Sequence, residues 1–189
     1  MGRVKGSIFL NYVRIIRANK ERDWGKYLTD ADLKLVFSEI MAHRWHPLDA
    51  YERIGYAIFQ ELAQGKMEIA WQWGRFAGED IGKRYYHYLT RADDPLKCIE
   101  WTKLFVQQGY QFDQPDFQAL KFETLGPNQV KILIQYDHPS KAFAPYVYQV
   151  AGTYERLVEI NGGKEVKVDI VKKNIEGSNP CAEILVSWK

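Results

Sequence analysis

The sequence predicts an α+β fold, in which an N-terminal helical layer packs on a four-stranded antiparallel sheet. Apolar residues recur every three or four positions over 1–108, the spacing of one buried helix face. In 109–189 they alternate with polar residues in four short segments, as in strands with one buried face. One long helical pattern separates these segments into two pairs, so the second half is predicted to be ββαββ.

The helical half begins with a pattern in which Phe9, Tyr12, Val13 and Ile16 share one face. Thr29, with Asp32 three residues later, predicts the N-terminal cap of the second helix. Pro47 suits the first turn of the third helix, and Gly65 its end. The five predicted helices span 8–18, 29–43, 47–64, 67–88 and 95–108.

The fourth predicted helix contains a row of small residues at four-residue spacing: Ala70, Gly74, Gly78 and Gly82. A glycine inside a helix costs about 1 kcal/mol relative to alanine. Three in one row therefore indicate that another backbone, or a ligand, comes close to this face.

The second half begins with predicted strands at 117–124 and 129–136, joined by the turn sequence Leu-Gly-Pro-Asn. A helix is predicted over 143–160 and ends at Asn161-Gly162-Gly163. A hairpin follows over 164–189, in which Val166, Val168 and Ile170 alternate with charged residues. Ala182, Ile184, Val186 and Trp188 repeat the alternation, and Cys181 begins the second strand.

Composition indicates one domain of 189 residues, with a net charge of +2. Its 26 basic and 24 acidic residues are interspersed, so we expect no binding of nucleic acid. The chain contains no uninterrupted apolar run long enough for a membrane span or a secretory leader, and only two cysteines. These features predict a cytoplasmic location.

No catalytic arrangement is recognisable, so the chain is not expected to be an enzyme. His43, His46 and Glu39 could ligate a metal, but Pro47 breaks the helix and polar capping explains them better. Cys98 and Cys181 lack a neighbouring histidine and are predicted to be inert. His87 could be a haem ligand, although a packed helix with a polar edge explains its surroundings better. We therefore predict no metal site.

Large aromatic residues are frequent in the predicted helices, at 14% of the whole sequence. If they face the glycine row, they wall an apolar pocket for a small ligand; the alternative is an aromatic core that fills itself. The predicted pocket residues are Tyr56, Phe59, Trp73, Gly74, Phe76, Gly78, Tyr85, Trp101 and Phe105.

The layout resembles a family of vinyl-4-reductase-type and haem-NO-binding-associated sensor domains. The matching segments are 2–6, 45–51, 74–77 and 177–188, so the resemblance spans nearly the whole chain. It implies a ligand-sensing module that shares its fold with haem-based nitric-oxide sensors. Lys173 stands where zinc-containing members have a second cysteine, and the Tyr-x-Ser-x-Arg motif of haem-binding members is absent. We therefore predict no cofactor, neither zinc nor haem.

Together these observations predict a non-enzymatic sensor or regulatory module that binds a small apolar or aromatic ligand between helices and sheet. We expect a homodimer that uses helices 8–18 and 33–40. Two alternatives remain open: a homodimeric interaction scaffold with a self-filled core, and a haem- or metal-dependent gas sensor.

Overall fold

The structure, a computed structural model, describes residues 2–84, 94–114, 116–175 and 178–189. Six α-helices, one short 3-10 helix (Trp24–Lys26) and seven strands lie within these ranges. In chain order the α-helices and strands are β1 (Arg3–Lys5), α1 (Gly6–Ala18), α2 (Asp30–Phe37), β2 (Trp45–Pro47), α3 (Leu48–Ala63), α4 (Met67–Arg84), α5 (Pro95–Gly109), β3 (Tyr110–Gln111), β4 (Leu120–Gly126), β5 (Gln129–Gln135), α6 (Phe143–Ile160), β6 (Lys167–Asn174) and β7 (Cys181–Ser187).

The chain forms two compact units that interleave along the sequence. The N-unit contains Met1–Lys66 and Gln107–Phe117, and the C-unit contains Met67–Val106 and Gln118–Lys189. Helix α4 and most of α5 are thus grouped with the strands that follow them, whereas the predicted division fell at residue 108. The prediction of a single domain stays a prediction.

The N-unit combines α1, α2 and α3 with a small antiparallel sheet of order β2-β1-β3. Phe9, Val13 and Ile16 of α1 are fully buried, as their spacing predicts. The small sheet was not predicted. Its strands have only two or three residues, too few for an alternation of polar and apolar residues to be recognised.

Helix α2 begins where predicted, because Thr29 and Asp32 form the reciprocal capping box. Its predicted extension to residue 43 is wrong, since the helix ends at Phe37. Arg17 explains the early end: its guanidinium group donates to the carbonyl oxygens of Val36 (2.8 Å) and Ser38 (2.5 Å). Carbonyl groups paired in this way do not need the N–H groups of a further helical turn.

The C-unit contains the predicted four-stranded antiparallel sheet, in the order β4-β5-β7-β6. Alternate residues of the two central strands are buried against α6; they are Val130, Ile132, Ile134, Ala182, Ile184 and Val186. Val147, Ala151, Leu157 and Val158 of α6 complete this core. The α+β fold class and the ββαββ order are confirmed, and α6 has the predicted bounds.

Helix α4 was predicted to continue to Tyr88, and the structure describes it as far as Arg84. Tyr85 and His87 therefore lie outside the described residues. Among the described helices, none is both long enough and apolar enough to cross a membrane.

Candidate functional site

The glycine row of α4 packs directly against the backbone of α6. A Cβ atom on Gly74 would lie 2.0 Å from the carbonyl oxygen of Gln149, and one on Gly78 would lie 2.7 Å from that of Thr153. From the other side, a Cβ atom on Gly152 would lie 2.1 Å from the carbonyl oxygen of Trp71. The sequence left open whether another backbone or a ligand approaches the glycine row. Gly74, Gly78 and Gly152 all lie against the backbone of the facing helix.

Charged side chains connect the same two helices beside the glycine contact. The Arg75 guanidinium lies 2.5 Å from a carboxylate oxygen of Glu155 and 2.9 Å from one of Glu159. Trp71 Nε1 donates a hydrogen bond of 2.7 Å to Glu155. Burial by itself would raise the pKa of Glu159, but hydrogen bonds from Arg75 and Arg156 outweigh it and hold that pKa below its usual value.

This network was not predicted, although the sequence carries a signal for it. Trp71 and Arg75 are four residues apart on α4, and Glu155 and Glu159 are four apart on α6. Such pairs lie on one face of a helix and can meet a matching face. Which two faces meet is decided by packing, so the signal alone does not identify the partners.

Two buried polar groups join α5 to α6 within the C-unit. The hydroxyl groups of Thr102 and Tyr154 lie 2.8 Å apart, and Thr102 Oγ1 also donates to the carbonyl oxygen of Ile99 at 2.6 Å. Cys98, one turn before Thr102, is 1% exposed. Burial, with a smaller contribution from the charge of Asp94, raises the pKa of its thiol to about 12. Cys98 is therefore a neutral core residue at physiological pH, and Cys181 is half-buried.

The N-unit contains a cluster of aromatic rings that the sequence analysis did not identify. Phe9 stacks on His46, with ring centroids 5.0 Å apart and an interplanar angle of 22°. Tyr12 stacks on Tyr51 at 4.5 Å, and Tyr110 meets Tyr51 edge-on at 6.3 Å. Burial and the neighbouring phenols raise the pKa of Tyr51 well above its usual value, so its ring stays neutral. We call these five rings the N-unit aromatic cluster.

Within this cluster, His46 has an unsatisfied ring nitrogen. Its Nε2 atom is buried and has no hydrogen-bond partner among the described residues. Buried polar atoms are nearly always paired with protein or ordered water. An unpaired imidazole nitrogen is therefore a candidate for binding a water molecule, a metal or another ligand.

The nine predicted pocket residues are distributed over both units. Tyr56 and Phe59 belong to the N-unit, where Phe59 is buried. Gly74 and Gly78 meet α6, and Trp73 and Phe105 are half-buried elsewhere in the C-unit. Phe76 and Trp101 expose 73% and 38% of their surface. Tyr85 lies outside the described residues, and the shared pocket stays a prediction.

The described ranges contain no group of three or more His, Cys, Asp or Glu side chains that could hold a metal ion. A haem iron needs fewer protein ligands, often a single histidine. The histidines in the described ranges are His43, which is exposed, and the half-buried His46 and His138. The described helices of the C-unit, α4, α5 and α6, carry none.

The architecture is that of haem-NO-binding (H-NOX) domains, as comparison with solved structures shows. No family model matches the sequence, and no curated protein matches it significantly. A mutant of the H-NOX domain of T. tengcongensis has 12% sequence identity and a TM-score of 0.62, covering 98% of this chain and 97% of its own. An oxygen-binding H-NOX domain related to soluble guanylate cyclases has 15% identity and a TM-score of 0.59, with coverage of 98% and 95%. At these identities the likeness demonstrates the shared fold.

The prediction of no cofactor requires correction. A further match, from work on haem distortion in the H-NOX family, has 13% identity and a TM-score of 0.61 over 98% of this chain and 95% of its own. The sequence argument rejected haem because one motif was missing, yet the whole chain has the fold of domains that hold this group. The absence of one motif is therefore not a sufficient ground for excluding haem.

Proposed function

We propose that this chain is a small-molecule sensor domain, and that the molecule it holds is haem. The observation that carries the proposal is the likeness to H-NOX structures over 98% of the chain, including a domain described as binding oxygen. Bound haem would supply an iron that can bind a diatomic gas. The protein would supply a side-chain ligand, an apolar enclosure and the exclusion of water.

Both half-buried histidines of the described residues lie among aromatic rings, and His138 stacks on Tyr136 with ring centroids 5.6 Å apart. His46 has a buried nitrogen without a hydrogen-bond partner and lies in an aromatic cluster, and apolar and aromatic side chains are the usual lining of cofactor sites. The role we propose is ligand binding rather than catalysis, in the cytoplasm, with the signal passed to a downstream partner.

The test is direct. The protein is purified from cells supplied with a haem precursor, and the apo-protein is titrated with hemin. We expect a Soret band that saturates at one hemin per chain and shifts when nitric oxide or carbon monoxide is added to the reduced protein. Absence of saturable hemin binding would refute haem as the ligand.

A second candidate is the apolar or aromatic ligand that the sequence predicted. It is favoured by the lack of histidine in the described parts of α4, α5 and α6, since histidine is a usual protein ligand of haem iron. Native mass spectrometry of the protein as purified separates the two candidates. A retained hydrophobic molecule without a Soret band supports the second, and a mass increase equal to haem supports the first.

We further propose that the sensor is a homodimer that uses α1 and the region of α2. Phe37 at the end of α2 exposes 55% of its surface, a large apolar contact area for a partner copy. Light scattering should give twice the chain mass, and Phe37→Glu should give the monomer mass. Lys34→Glu on the same helix is the matched control, and an unchanged mass for Phe37→Glu would contradict the proposal.

A further inference from the structure

We propose that the outer edge of β6 pairs with the same edge of a second copy of this chain, so that two C-units share one continuous sheet. Strand β6 lies at one end of the sheet, and its inner edge is bonded to β7. Within the part of the chain that the structure describes, no strand pairs with its outer edge. Such an edge carries a row of backbone N–H and C=O groups that can bond to another strand.

The regular part of this edge is short and has defined ends. Before it, Glu165 has a φ of 48°, so the chain is not extended there. After it, the register with β7 shifts between Ile170 and Lys172. Bulges and lysines prevent strands from pairing, and the second half of β6 has both, with Lys172 and Lys173. Residues 166–170 have neither feature at their centre, so pairing is expected there.

The sequence of this segment is complementary to itself when it is reversed. It reads Val-Lys-Val-Asp-Ile, with the three apolar side chains half-buried and the two charged ones exposed. In an antiparallel pair centred on Val168, Lys167 of each copy lies opposite Asp169 of the other. Val166 likewise lies opposite Ile170. Opposite charges that face each other across such a pair stabilise it, and a two-fold axis through its centre repeats every contact.

The two charges of this segment have no partner of opposite charge in their own chain. Across the sheet, Lys167 lies beside Ser187 and Asp169 lies beside Leu185, both uncharged. Among the described residues, neither Lys167 nor Asp169 forms an ion pair; those of the sheet lie elsewhere. A second copy of the strand would supply each of them with the missing opposite charge.

Strand β4, at the other end of the sheet, differs in this respect. Its exposed charges are Lys121 and Glu123, and Glu123 already pairs with Lys131 of β5 at 2.5 Å. The ring of Phe122 between them is covered in part by Lys103, whose Nζ lies 5.5 Å from the ring centroid. The edge whose opposite charges are both unpaired is therefore that of β6.

Cysteine cross-linking tests the register of the proposed pair. Val168 would face its own copy, and Cα atoms in an antiparallel pair lie about 4.5–5.5 Å apart, which a disulfide can span. In a Cys181→Ser protein, which lacks the half-buried thiol, Val168→Cys should form a disulfide-linked dimer under mild oxidation. Val171→Cys is the matched control, because Val171 is 55% exposed on the same strand but lies away from the two-fold axis. We expect Val168→Cys to cross-link at least about tenfold faster.

Charge reversal tests the chemistry of the pair in the Val168→Cys protein. Lys167→Glu brings two carboxylates together at both ends of the pair, and Asp169→Lys brings two ammonium groups together. Each should slow cross-linking by about tenfold or more, because repulsion replaces attraction at two symmetric positions. The double variant restores opposite charges and should restore the parent rate. An equimolar mixture of the two single variants should also reach that rate, since each supplies the charge that the other needs. Lys121→Glu on β4 should change nothing.

Three results would overturn the proposal. Equal cross-linking of Val168→Cys and Val171→Cys would indicate random collision. Single charge variants that cross-link as fast as the parent would exclude the proposed register. A folded Val168→Cys protein without any cross-link would leave the edge to solvent or to the strand of a different protein. The cross-link reports on β6 alone, so these outcomes are independent of hemin binding and of the contact proposed for α1 and α2.

Discussion

Replacing Gly74 by alanine should loosen the α4–α6 contact on which the C-unit depends. The added Cβ atom would lie 2.0 Å from the carbonyl oxygen of Gln149, about 1.4 Å inside an ordinary non-bonded contact. The obstacle is backbone, so no side chain can rotate away, and the two helices must separate. Separation would also lengthen the 3.0 Å hydrogen bond that Thr153 Oγ1 donates to the carbonyl oxygen of Gly74.

The magnitude follows from two opposing terms. Overpacking of this kind costs about 3 kcal/mol or more, at the upper end of the usual range, because the clash is large and rigid. Alanine returns about 1 kcal/mol through its better helix propensity. The free energy of unfolding should therefore fall by about 2 kcal/mol, which lowers the melting temperature by about 4–8 °C for a chain of this length.

Two glycines of the same helix provide internal controls. A Cβ atom on Gly78 would lie 2.7 Å from the Thr153 carbonyl oxygen, a smaller overlap with backbone. One on Gly82 would lie 2.3 Å from Cδ1 of Ile160, the end of a flexible side chain that can move aside. Urea denaturation followed by circular dichroism should rank the loss of stability as Gly74→Ala first, Gly78→Ala second and Gly82→Ala near zero. A Gly74→Ala protein as stable as the parent, or a less stable Gly82→Ala, would refute the backbone-contact reasoning.

Three further predictions concern polar groups. Arg75→Met should lower the free energy of unfolding by about 1–2 kcal/mol, because two half-buried glutamates lose the hydrogen bonds and the charge of its guanidinium. This loss of stability should become smaller in high salt. An equal loss at all salt concentrations would argue against an ionic origin. In the native protein at pH 8, Cys98 should not react with a thiol reagent, because its pKa of about 12 leaves about one thiolate in ten thousand. Unfolding in urea should expose the thiol and let it react. Two thiols that react rapidly without urea would contradict this prediction. Burial is the largest single influence on the pKa of Asp32 and would raise it, but the hydrogen bonds from Arg53 and Thr29, together with the charge of Arg53, outweigh burial and lower that pKa. Its contribution to stability is thus present above about pH 4 and is lost as the pH falls through the lower, folded-state value. Asp32→Asn should flatten the decline of unfolding free energy in acid, and an unchanged slope would show that other carboxylates cause it.

Local patterns predicted most of the secondary structure because each depends on residues close together in sequence. The apolar periodicity over 143–160 is long and strong, and α6 has the predicted bounds. The capping pair Thr29 and Asp32 likewise acts over three residues. The end of α2 was predicted too late because Arg17, about twenty residues earlier in the chain, supplies the decisive hydrogen bonds.

The candidate site was predicted less well, for the same physical reason. The glycine row was correctly interpreted as a place of close approach, but the sequence does not contain the identity of the approaching group. His46 was considered as a metal ligand and set aside because Pro47 breaks the helix. In the structure the residue lies in a strand, and its importance comes from an unpaired nitrogen and a stacked Phe9, both of which are products of packing.

The sequence by itself thus determined the α+β class, the order of the elements and the need for a close neighbour at Gly74 and Gly78. These depend on periodicity, turn chemistry and the cost of glycine, all of which are local. Only the tertiary structure decided that α6 is this neighbour, that Arg75 meets Glu155 and Glu159, and that the chain has the architecture of haem-NO-binding domains. Contacts between residues some 80 positions apart arise when whole helix faces pack, and no local pattern encodes which faces meet.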